Sequence, residues 1–373
     1  MVSSLFKDLV DKYINKVVGA ITEKINGEKT ERPLFYKSKL NTEYTATLEW
    51  ANTEISNNVV SADVVSMDSS IPLKSRPSIR KASGNVPKLG LKYPLKESTL
   101  NDIQIMKAQG VKESQIVAKL FDDVNRCIKG IEHRIEMMFL QGLSTGSILV
   151  QDSETEGTAV RANFGYLSEN LFTTTTAVWS SAATATPISD IRQLFDKAET
   201  DNSSIAELWI SRQYLDLIRA TTEGKRLVAN SNGYNIDDNN LGTPTRTQMQ
   251  DALELEFGVK LNVVSSKFAI EGHNGTVTMV SPYKASSVVA VPSSQVGTLF
   301  YGELAEAKNP VAGVNYQTAD TFILVSKYAK NDPLQEFTAG QALAIPVINN
   351  ANYVYVLDAN EAPESNEEPV SGD

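Results

Sequence analysis

The sequence has very few residues of the types that build metal centres and covalent cross-links. Its 373 residues include one cysteine, Cys127, and two histidines, His133 and His273. A disulfide needs two cysteines, and the common zinc sites need several cysteine or histidine ligands. This composition excludes an internal disulfide and a multi-histidine metal centre, and we expect no cofactor.

Long hydrophobic runs are also missing. A membrane-spanning helix needs about 18 consecutive apolar residues, whereas the longest apolar runs here, such as residues 322–325, have the length of a strand. Lys7, Asp8, Asp11 and Lys12 interrupt the apolar segment that a secretion signal would need. The sequence therefore predicts a protein that does not cross a bilayer and is synthesised in a cytoplasm.

Charge is distributed unevenly along the chain. There are 35 basic and 45 acidic residues, for a net charge of −10. Residues 71–96, which we call the basic segment, contain no acidic residue and seven cations: Lys74, Arg76, Arg80, Lys81, Lys88, Lys92 and Lys96. Removing these seven positive charges from the total leaves −17 on the other residues.

Residues 358–373 are strongly acidic. This stretch holds six carboxylates and no base, with proline, serine, asparagine and glycine between them. Such a composition buries little apolar surface and is typical of disordered chain. We call it the acidic tail and predict that it is disordered.

Two stretches have the apolar periodicity of amphipathic helices. In residues 5–25 the stripe is formed by Leu5, Leu9, Tyr13, Val17, Ile21 and Ile25, and it is widened by Phe6, Val10, Ile14 and Val18. It predicts a helix that packs on the protein's own core or on another subunit. In residues 111–143 the spacing alternates between 4 and 3, at Val117, Phe121, Val124, Ile128, Ile131, Ile135 and Met138. This stripe predicts one long helix. Its width favours packing across a sheet over the alternative of a coiled coil.

The rest of the chain predicts an α+β fold. Prolines at 72, 77, 87 and 94 and runs of β-branched residues predict extended chain over residues 44–96, forming an arm or hairpin that lies against something else. Ser189 and Asp190 are predicted to cap a helix, and helices then alternate with strands up to residue 291. Residues 321–328 and 337–348 are predicted to pair as strands, followed by a strand at 353–357.

The candidate catalytic and nucleotide-binding motifs lack their required context. Residues 142–146 match the Gly-x-Ser-x-Gly elbow of serine hydrolases, which requires a preceding strand, but here a predicted helix precedes Ser144. His273 lies in a hairpin-turn sequence, Gly-His-Asn-Gly. The carboxylates and amides at 235–240 lack the calcium-loop spacing, and no phosphate-binding loop is present. We therefore predict that the protein is not an enzyme.

The basic segment has two possible partners. Its cations could neutralise nucleic-acid phosphates. However, Tyr93 is the only aromatic residue among them, and the negative net charge opposes a polyanion. This balance favours an acidic protein surface, while a cytoplasmic nucleic-acid-binding protein that uses residues 71–96 stays open as the alternative.

Several stretches resemble the major capsid protein of tailed bacteriophages, of the phage lambda head protein type within the Hong Kong-ninety-seven-like fold. Residues 60–77 (VSADVVSMDSSIPLKSRP) resemble the start of that family's extended loop. Residues 288–302, 328–338 (YAKNDPLQEFT) and 343–346 (LAIP) resemble its carboxy-terminal part. The first 30 residues and the acidic tail depart from the family pattern.

The resemblance implies a domain order. The expected parts are an amino-terminal helical arm (1–43), an extended β loop (44–97), a peripheral domain with a long spine helix (98–187), an α/β axial domain (188–319), closing strands of the peripheral domain (320–358) and the acidic disordered tail (359–373).

It also implies a role and partners. The chain would self-assemble into pentamers and hexamers of an icosahedral head shell, located in the virion, which encloses double-stranded DNA without sequence-specific binding. Portal and scaffolding proteins are the expected partners, and a decoration protein is a further candidate. The expected contacts between subunits are made by Lys74, Arg76, Arg80, Lys81, Lys88 and Lys92. Some relatives cross-link a loop lysine to an asparagine of another subunit, but no activated lysine is evident in this sequence.

Overall fold

The structure is a computed structural model that describes residues 3–27, 33–55, 79–150, 160–233, 241–272 and 274–362. Several predicted features lie outside these ranges: Lys74, Arg76, His273, the motif at 60–77, most of the loop at 230–240 and residues 363–373 of the acidic tail. The prediction of disorder from residue 358 is wrong at its first residue, because Asp358 is the last residue of a strand and pairs with Ser287 and Thr173.

The described helices and strands follow the α+β order. The helices are α1 (Lys7–Asn26), α2 (Phe35–Lys39), α3 (Glu97–Ala108), α4 (Glu113–Leu120), α5 (Asp122–Thr145), α6 (Pro187–Thr200), α7 (Arg212–Ala220), α8 (Thr222–Ser231), α9 (Arg246–Phe257) and α10 (Ala305–Lys308). The strands are β1 (Leu40–Tyr44), β2 (Glu49–Ile55), β3 (Ile79–Asn85), β4 (Lys88–Lys96), β5 (Ser147–Val150), β6 (Val160–Asn163), β7 (Leu171–Thr173), β8 (Glu207–Ser211), β9 (Lys260–Val264), β10 (Phe268–Glu271), β11 (Val277–Val280), β12 (Ser287–Val291), β13 (Gly297–Gly302), β14 (Asn315–Ala319), β15 (Ile323–Lys330), β16 (Gln335–Ile348) and β17 (Tyr355–Asp358).

The chain divides into two compact units. Unit 1 comprises Met1–Trp50, Ser83–Phe139 and Thr298–Val347, and unit 2 comprises Ala51–Ala82, Leu140–Gly297 and Ile348–Asp373. The predicted domains stay a prediction. The two units group the chain in another way: Ala51–Ala82 and residues 140–187 belong to unit 2, residues 298–319 belong to unit 1, and β17 belongs to unit 2, where it pairs with β12 and β7.

Unit 1 is built on a sheet with strand order β1-β13-β16-β15-β14, in which β4 also pairs with β16. Helix α5 packs on this sheet with its apolar stripe, and Val124, Ile128, Ile131 and Ile135 are fully buried. Gly130 allows close approach, since a Cβ added there would lie 2.7 Å from the Leu91 Cδ1 atom. The helix and sheet therefore share one apolar core.

The predicted single helix over 111–143 is interrupted. Helix α4 ends at Leu120 and α5 begins at Asp122, with Phe121 between them in a non-helical conformation. Consequently Val117, which was assigned to the spine stripe, lies on α4 and is only half-buried, while Ile116 and Leu120 form the buried face of that short helix. The apolar spacing continues across the junction, so it did not signal the break.

The most deeply buried residues of α1 lie on one side of the wide predicted stripe. Leu9, Val10, Ile14 and Val18 are buried, whereas Tyr13, Val17 and Ile21 are half-buried. Because the apolar residues cover a wide arc of this helix, more than one line along it satisfies the periodicity. Helix α1 packs against β14, and its buried line runs through Val10, Ile14 and Val18.

Unit 2 contains a mixed sheet with strand order β7-β17-β12-β8-β9. Strands β8 and β12 are buried along their whole length and pair antiparallel. An apolar core of residues from helices α6 to α9 and from these strands includes Trp179, Leu194, Ile210 and Tyr355. Three two-stranded ribbons, β2-β3, β5-β6 and β10-β11, complete the described strands.

The start of α6 differs from its predicted cap. Thr186 is the N-cap residue and Pro187 begins the helix, so Ser189 and Asp190 lie within the first turn. The free backbone N–H groups of Ile188 and Ser189 are bound by the Glu223 carboxylate, at 2.7 and 3.2 Å. A side chain from α8 therefore supplies the cap, which a local sequence pattern does not reveal.

Candidate assembly surfaces

The cations of β4 lie together on one face of the unit 1 sheet. The strand pairs antiparallel with β16, from Lys88 opposite Leu343 to Lys96 opposite Gln335. Its exposure alternates, with Lys88, Lys92 and Lys96 exposed. The intervening residues are half-buried, and one of them, Leu91, faces Gly130 of α5. The alternation follows from the strand's period of two residues.

The other predicted loop contacts are placed less completely. Lys81 is exposed on β3. Arg80 belongs to the same strand, but its side chain is outside the described part of the structure, as are Lys74 and Arg76. The structure therefore brings Lys88 and Lys92 together with Lys96, and the assignment of all six residues to contacts between subunits stays a prediction.

The amino-terminal residues are anchored on a buried carboxylate of β16. The Ser4 hydroxyl donates to the Glu336 Oε1 atom at 2.6 Å, and the Leu5 N–H donates to the same atom at 2.7 Å. The Phe6 N–H in turn donates to the Ser4 hydroxyl at 3.1 Å. Glu336 is fully buried, so these donors replace the water that its carboxylate would otherwise bind.

A fully buried lysine lies beside this carboxylate. The Lys327 Nζ atom is 3.6 Å from the Glu336 Oε2 atom, and it donates to the Leu120 carbonyl at 3.1 Å and to the Thr338 hydroxyl at 3.2 Å. Burial lowers the pKa of Lys327, and the neighbouring Glu336 charge opposes that shift. The arrangement joins the start of the chain, α4 and the β15-β16 pair.

A second charged cluster holds α2 on the spine helix. The Lys37 Nζ atom lies 2.7 Å from the Glu132 Oε1 atom and 2.9 Å from the Asp320 Oδ2 atom, and it also donates to the Asn26 side chain. Burial raises the pKa of Glu132, while the charge of Lys37 opposes the rise. The cluster connects the end of α1, α2, α5 and the β14-β15 turn.

Glu136, one turn further along α5, caps α2 directly. Its carboxylate accepts the backbone N–H groups of Phe35 at 3.0 Å and Tyr36 at 2.9 Å. Burial raises the pKa of Glu136 to about 7, although these two hydrogen bonds lower it. The carboxylate therefore satisfies the free N–H groups at the start of a five-residue helix.

The residues proposed for arm packing form a partly exposed ridge. Leu9 is buried and Tyr13, Val17 and Ile21 are half-buried, while Leu5 at the start of the ridge is 45% exposed. Polar contacts hold the helix at its sides, with Lys12 Nζ 3.0 Å from Glu113 Oε1 and the Asn315 amide bound to Asp11. The ridge therefore leaves part of its apolar surface exposed.

The hydroxyl of the candidate catalytic serine, Ser144, makes hydrogen bonds to the backbone. The buried Ser144 hydroxyl donates to the Leu140 carbonyl at 2.9 Å and accepts the Lys284 N–H at 3.0 Å. Burial raises the pKa of the Cys127 thiol to about 12, which suppresses its nucleophilic form. Within the described ranges, no group of three or more His, Cys, Asp or Glu side chains is arranged to hold a metal ion.

The polar and charged residues that anchor the arm were not predicted from the sequence. They are Ser4, Lys37, Glu132, Glu136, Lys327 and Glu336. One signal was available for Lys327, which lies two residues after the apolar run 322–325 and within the buried stretch 323–327 of β15. Glu132 and Glu136 border the apolar stripe of α5, where a carboxylate is ordinarily solvated, so their burial depends on a segment about 100 residues away.

Comparisons with known proteins agree with this architecture. The family model for phage major capsid protein E matches residues 18–359. The crystal structure of the putative capsid protein of a prophage from E. coli CFT073 superposes with a TM-score of 0.57, at 15% identity over 92% of this chain and 98% of that one. A phage-related protein from Bordetella bronchiseptica RB50 gives a TM-score of 0.52, at 12% identity over 92% and 97%. At these identities the two structures show the fold alone. No curated protein matches the sequence.

The fold and the family match together define a structural protein of a phage head. The chain belongs to the phage major capsid protein E family. It is a major capsid protein that forms the head shell and is located in the virion, and it associates with copies of itself. The α+β capsid fold expected from the sequence resemblance is confirmed. In the described part of the chain, no helix is long and apolar enough to cross a membrane.

Proposed function

We propose that this protein closes into an icosahedral shell of pentamers and hexamers around double-stranded DNA, and that the basic segment joins one copy to the next. The observation that carries the proposal is the row of exposed cations on β4 in a chain of the capsid family. Lys88, Lys92 and Lys96 take part in none of the ion pairs within the described ranges. The remaining residues of each copy carry a charge of −17, so an acidic neighbour is always available.

The energetics suit an assembly better than a single complex. Each exposed ion pair contributes about 0 to 1 kcal/mol. A shell repeats the same contact in every subunit, so small contributions add up over the closed particle. Attraction between exposed charges is weakened by salt, and assembly should therefore become less efficient at high ionic strength.

The shell role requires no catalysis by this chain, and we propose that it is not an enzyme. Synthesis takes place in the host cytoplasm. A scaffolding protein and a portal are the proposed partners during assembly, with a decoration protein as a further one. The Ser144 hydroxyl supports the structure of the α5 end, so Ser144→Ala should leave particle formation intact. Stoichiometric labelling of Ser144 by a serine-directed phosphonate would contradict this.

The test of the proposal reverses the charge at Lys74, Arg76, Arg80 and Lys81 together. We expect folded monomers or small oligomers in place of closed particles, observed by electron microscopy and size-exclusion chromatography. The matched control exchanges lysine and arginine at the same four positions, which keeps the charge and should keep the particles. If the reversed variant assembles normally but loses salt-dependent binding to DNA in a gel-shift titration, the nucleic-acid alternative is correct instead.

A further inference from the structure

Strand β4 has one backbone edge that pairs with no strand in the described part of the chain. We call this edge the free edge, and the opposite edge of the strand pairs with β16. The Ala344 N–H donates to the Pro87 carbonyl at 3.3 Å, and this pair continues the β4-β16 register. In an antiparallel pair, bonded positions alternate with non-bonded ones. The odd-numbered residues of β4 therefore bond to β16, and the even-numbered ones direct their N–H and C=O groups to the free edge.

The same even-numbered positions carry the exposed cations. Lys88, Lys92 and Lys96 are each four residues apart, about 13 Å for consecutive lysines at 3.3 Å per residue. Pro94 is also even-numbered, so its missing N–H faces the free edge and costs no bond to β16. The edge is thus open to an added strand, and its side chains select one with negative charge.

The acidic tail has the complementary pattern. Glu364 and Glu368 are four residues apart and would lie on one face of an extended strand, at the spacing of two consecutive lysines of β4. Pro363 and Pro369 both have the opposite parity. In a strand that bonds through residues 364, 366 and 368, both prolines would direct their missing N–H groups away from the partner, where no bond is lost.

We propose that the free edge of β4 binds the acidic tail of a second copy as an added strand, with Glu364 and Glu368 beside two of the lysines Lys88, Lys92 and Lys96. The inference rests on the proposed function, because it takes the second copy from the shell. The inference identifies the acidic tail as the partner of Lys88, Lys92 and Lys96 in the basic segment. Fixing an added strand in place costs conformational entropy, so the pairing should be reversible and dependent on salt.

The first experiment detects the contact between copies. One version of the full chain carries Lys92→Cys and a second, with a distinguishable tag, carries Glu364→Cys. After co-expression and mild oxidation of assembled particles, we expect a disulfide-linked dimer that contains both tags. Lys107→Cys, an exposed lysine of α3, replaces Lys92→Cys as the matched control and should give at least tenfold less dimer.

The second experiment tests charge and parity together. Lys88→Glu with Lys92→Glu should reduce particle yield several-fold, and adding Glu364→Lys with Glu368→Lys should restore it. The control adds Glu367→Lys with Asp373→Lys, which changes the charge equally but at the odd-numbered positions, and it should not restore the yield. Rescue by both tail variants would show a general charge effect and overturn the strand pairing.

The outcomes separate this inference from the proposed function. Closed particles without the mixed-tag dimer would overturn the tail site and leave the shell role in place. A disulfide found only within single chains would also overturn it, because the tail would then bind its own copy. Failure of the unaltered chain to form particles would instead count against the proposed function itself.

Discussion

The buried carboxylates of the two units differ in where their hydrogen-bond partners lie in the sequence. In unit 1, Glu336 and Glu136 accept hydrogen bonds from Ser4, Leu5, Phe35 and Tyr36, which belong to the amino-terminal residues and to the segment after α1. Both carboxylates therefore bind chain that enters the unit from far away in sequence. The arm is therefore held on unit 1 by hydrogen bonds to buried carboxylates.

In unit 2 the buried carboxylates have neutral partners within their own neighbourhood. Asp190 accepts the Trp179 indole N–H at 2.7 Å and the Thr175 N–H at 2.8 Å, and Glu207 accepts the Asn262 amide at 2.7 Å. These bonds close loops and strands of the same unit. The difference indicates that the buried carboxylates of unit 1 depend on the amino-terminal segment for their hydrogen bonds, whereas Asp190 and Glu207 find their partners nearer in the sequence.

The largest effect should come from breaking the buried ion pair of unit 1. Lys327→Met leaves Glu336 buried without its cation, which typically costs about 3–5 kcal/mol. We expect the urea midpoint of the isolated subunit to fall sharply and α1 to lose protection in hydrogen exchange. Lys308→Met removes an exposed pair with Glu303 and serves as the control, with no measurable change. Equal effects of the two variants would contradict the account.

A purely apolar substitution in the same core separates the effect of packing on stability from the effect of charge. Ile131→Ala should cost about 2–5 kcal/mol through the cavity it creates beneath the sheet. Unlike Lys327→Met, it should lower stability without selective loss of protection in α1. An unchanged melting temperature would mean that α5 does not form the core of unit 1.

The matching change in unit 2 should be smaller and local. Asp190→Ala leaves the Trp179 indole N–H and the Thr175 N–H without their acceptor, at a cost of about 1–3 kcal/mol. Hydrogen exchange should increase near residues 174–190, while protection of α1 stays as in the unaltered protein. Release of α1 in this variant would remove the distinction between the units.

The smallest effect should be a pH dependence that originates at Glu136. Its pKa is raised to about 7 in the folded protein, above the ordinary value of 4.5, so the folded state binds this proton more tightly than the unfolded state. The stability contributed by that proton is complete below pH 4.5 and is lost as the pH rises to about 7. Urea midpoints measured from pH 4.5 to 8 should therefore fall less steeply for Glu136→Gln than for the unaltered chain. Parallel curves would show that Glu136 titrates normally.

The fold was largely predictable because periodicity records which side of an element is buried. The stripes of α1 and α5 and the strands β8, β12, β15 and β16 follow from apolar spacing alone. The interruption at Phe121 does not, because the same spacing runs through it. The exact buried line of α1 depends on which side meets β14, and a wide stripe leaves that choice to tertiary packing.

The surfaces were predictable only in part. Composition located the basic segment. The alternation of exposed and half-buried residues along β4 could be assigned to the two faces of the strand only once its register with β16 was known. The anchoring carboxylates could not be identified from local patterns, since Glu336 and Ser4 are 332 residues apart and Glu136 and Tyr36 are 100 apart. A single sequence contains no local pattern that identifies such distant partners of buried charges.

Electron microscopy of the unaltered, purified chain, treated with nuclease and compared at low and high salt, tests the central claim most directly. We expect closed shells of uniform size at low salt that dissociate into folded subunits as ionic strength rises. A protein that stays monomeric at every concentration, and that binds DNA with a steep salt dependence, would contradict this claim.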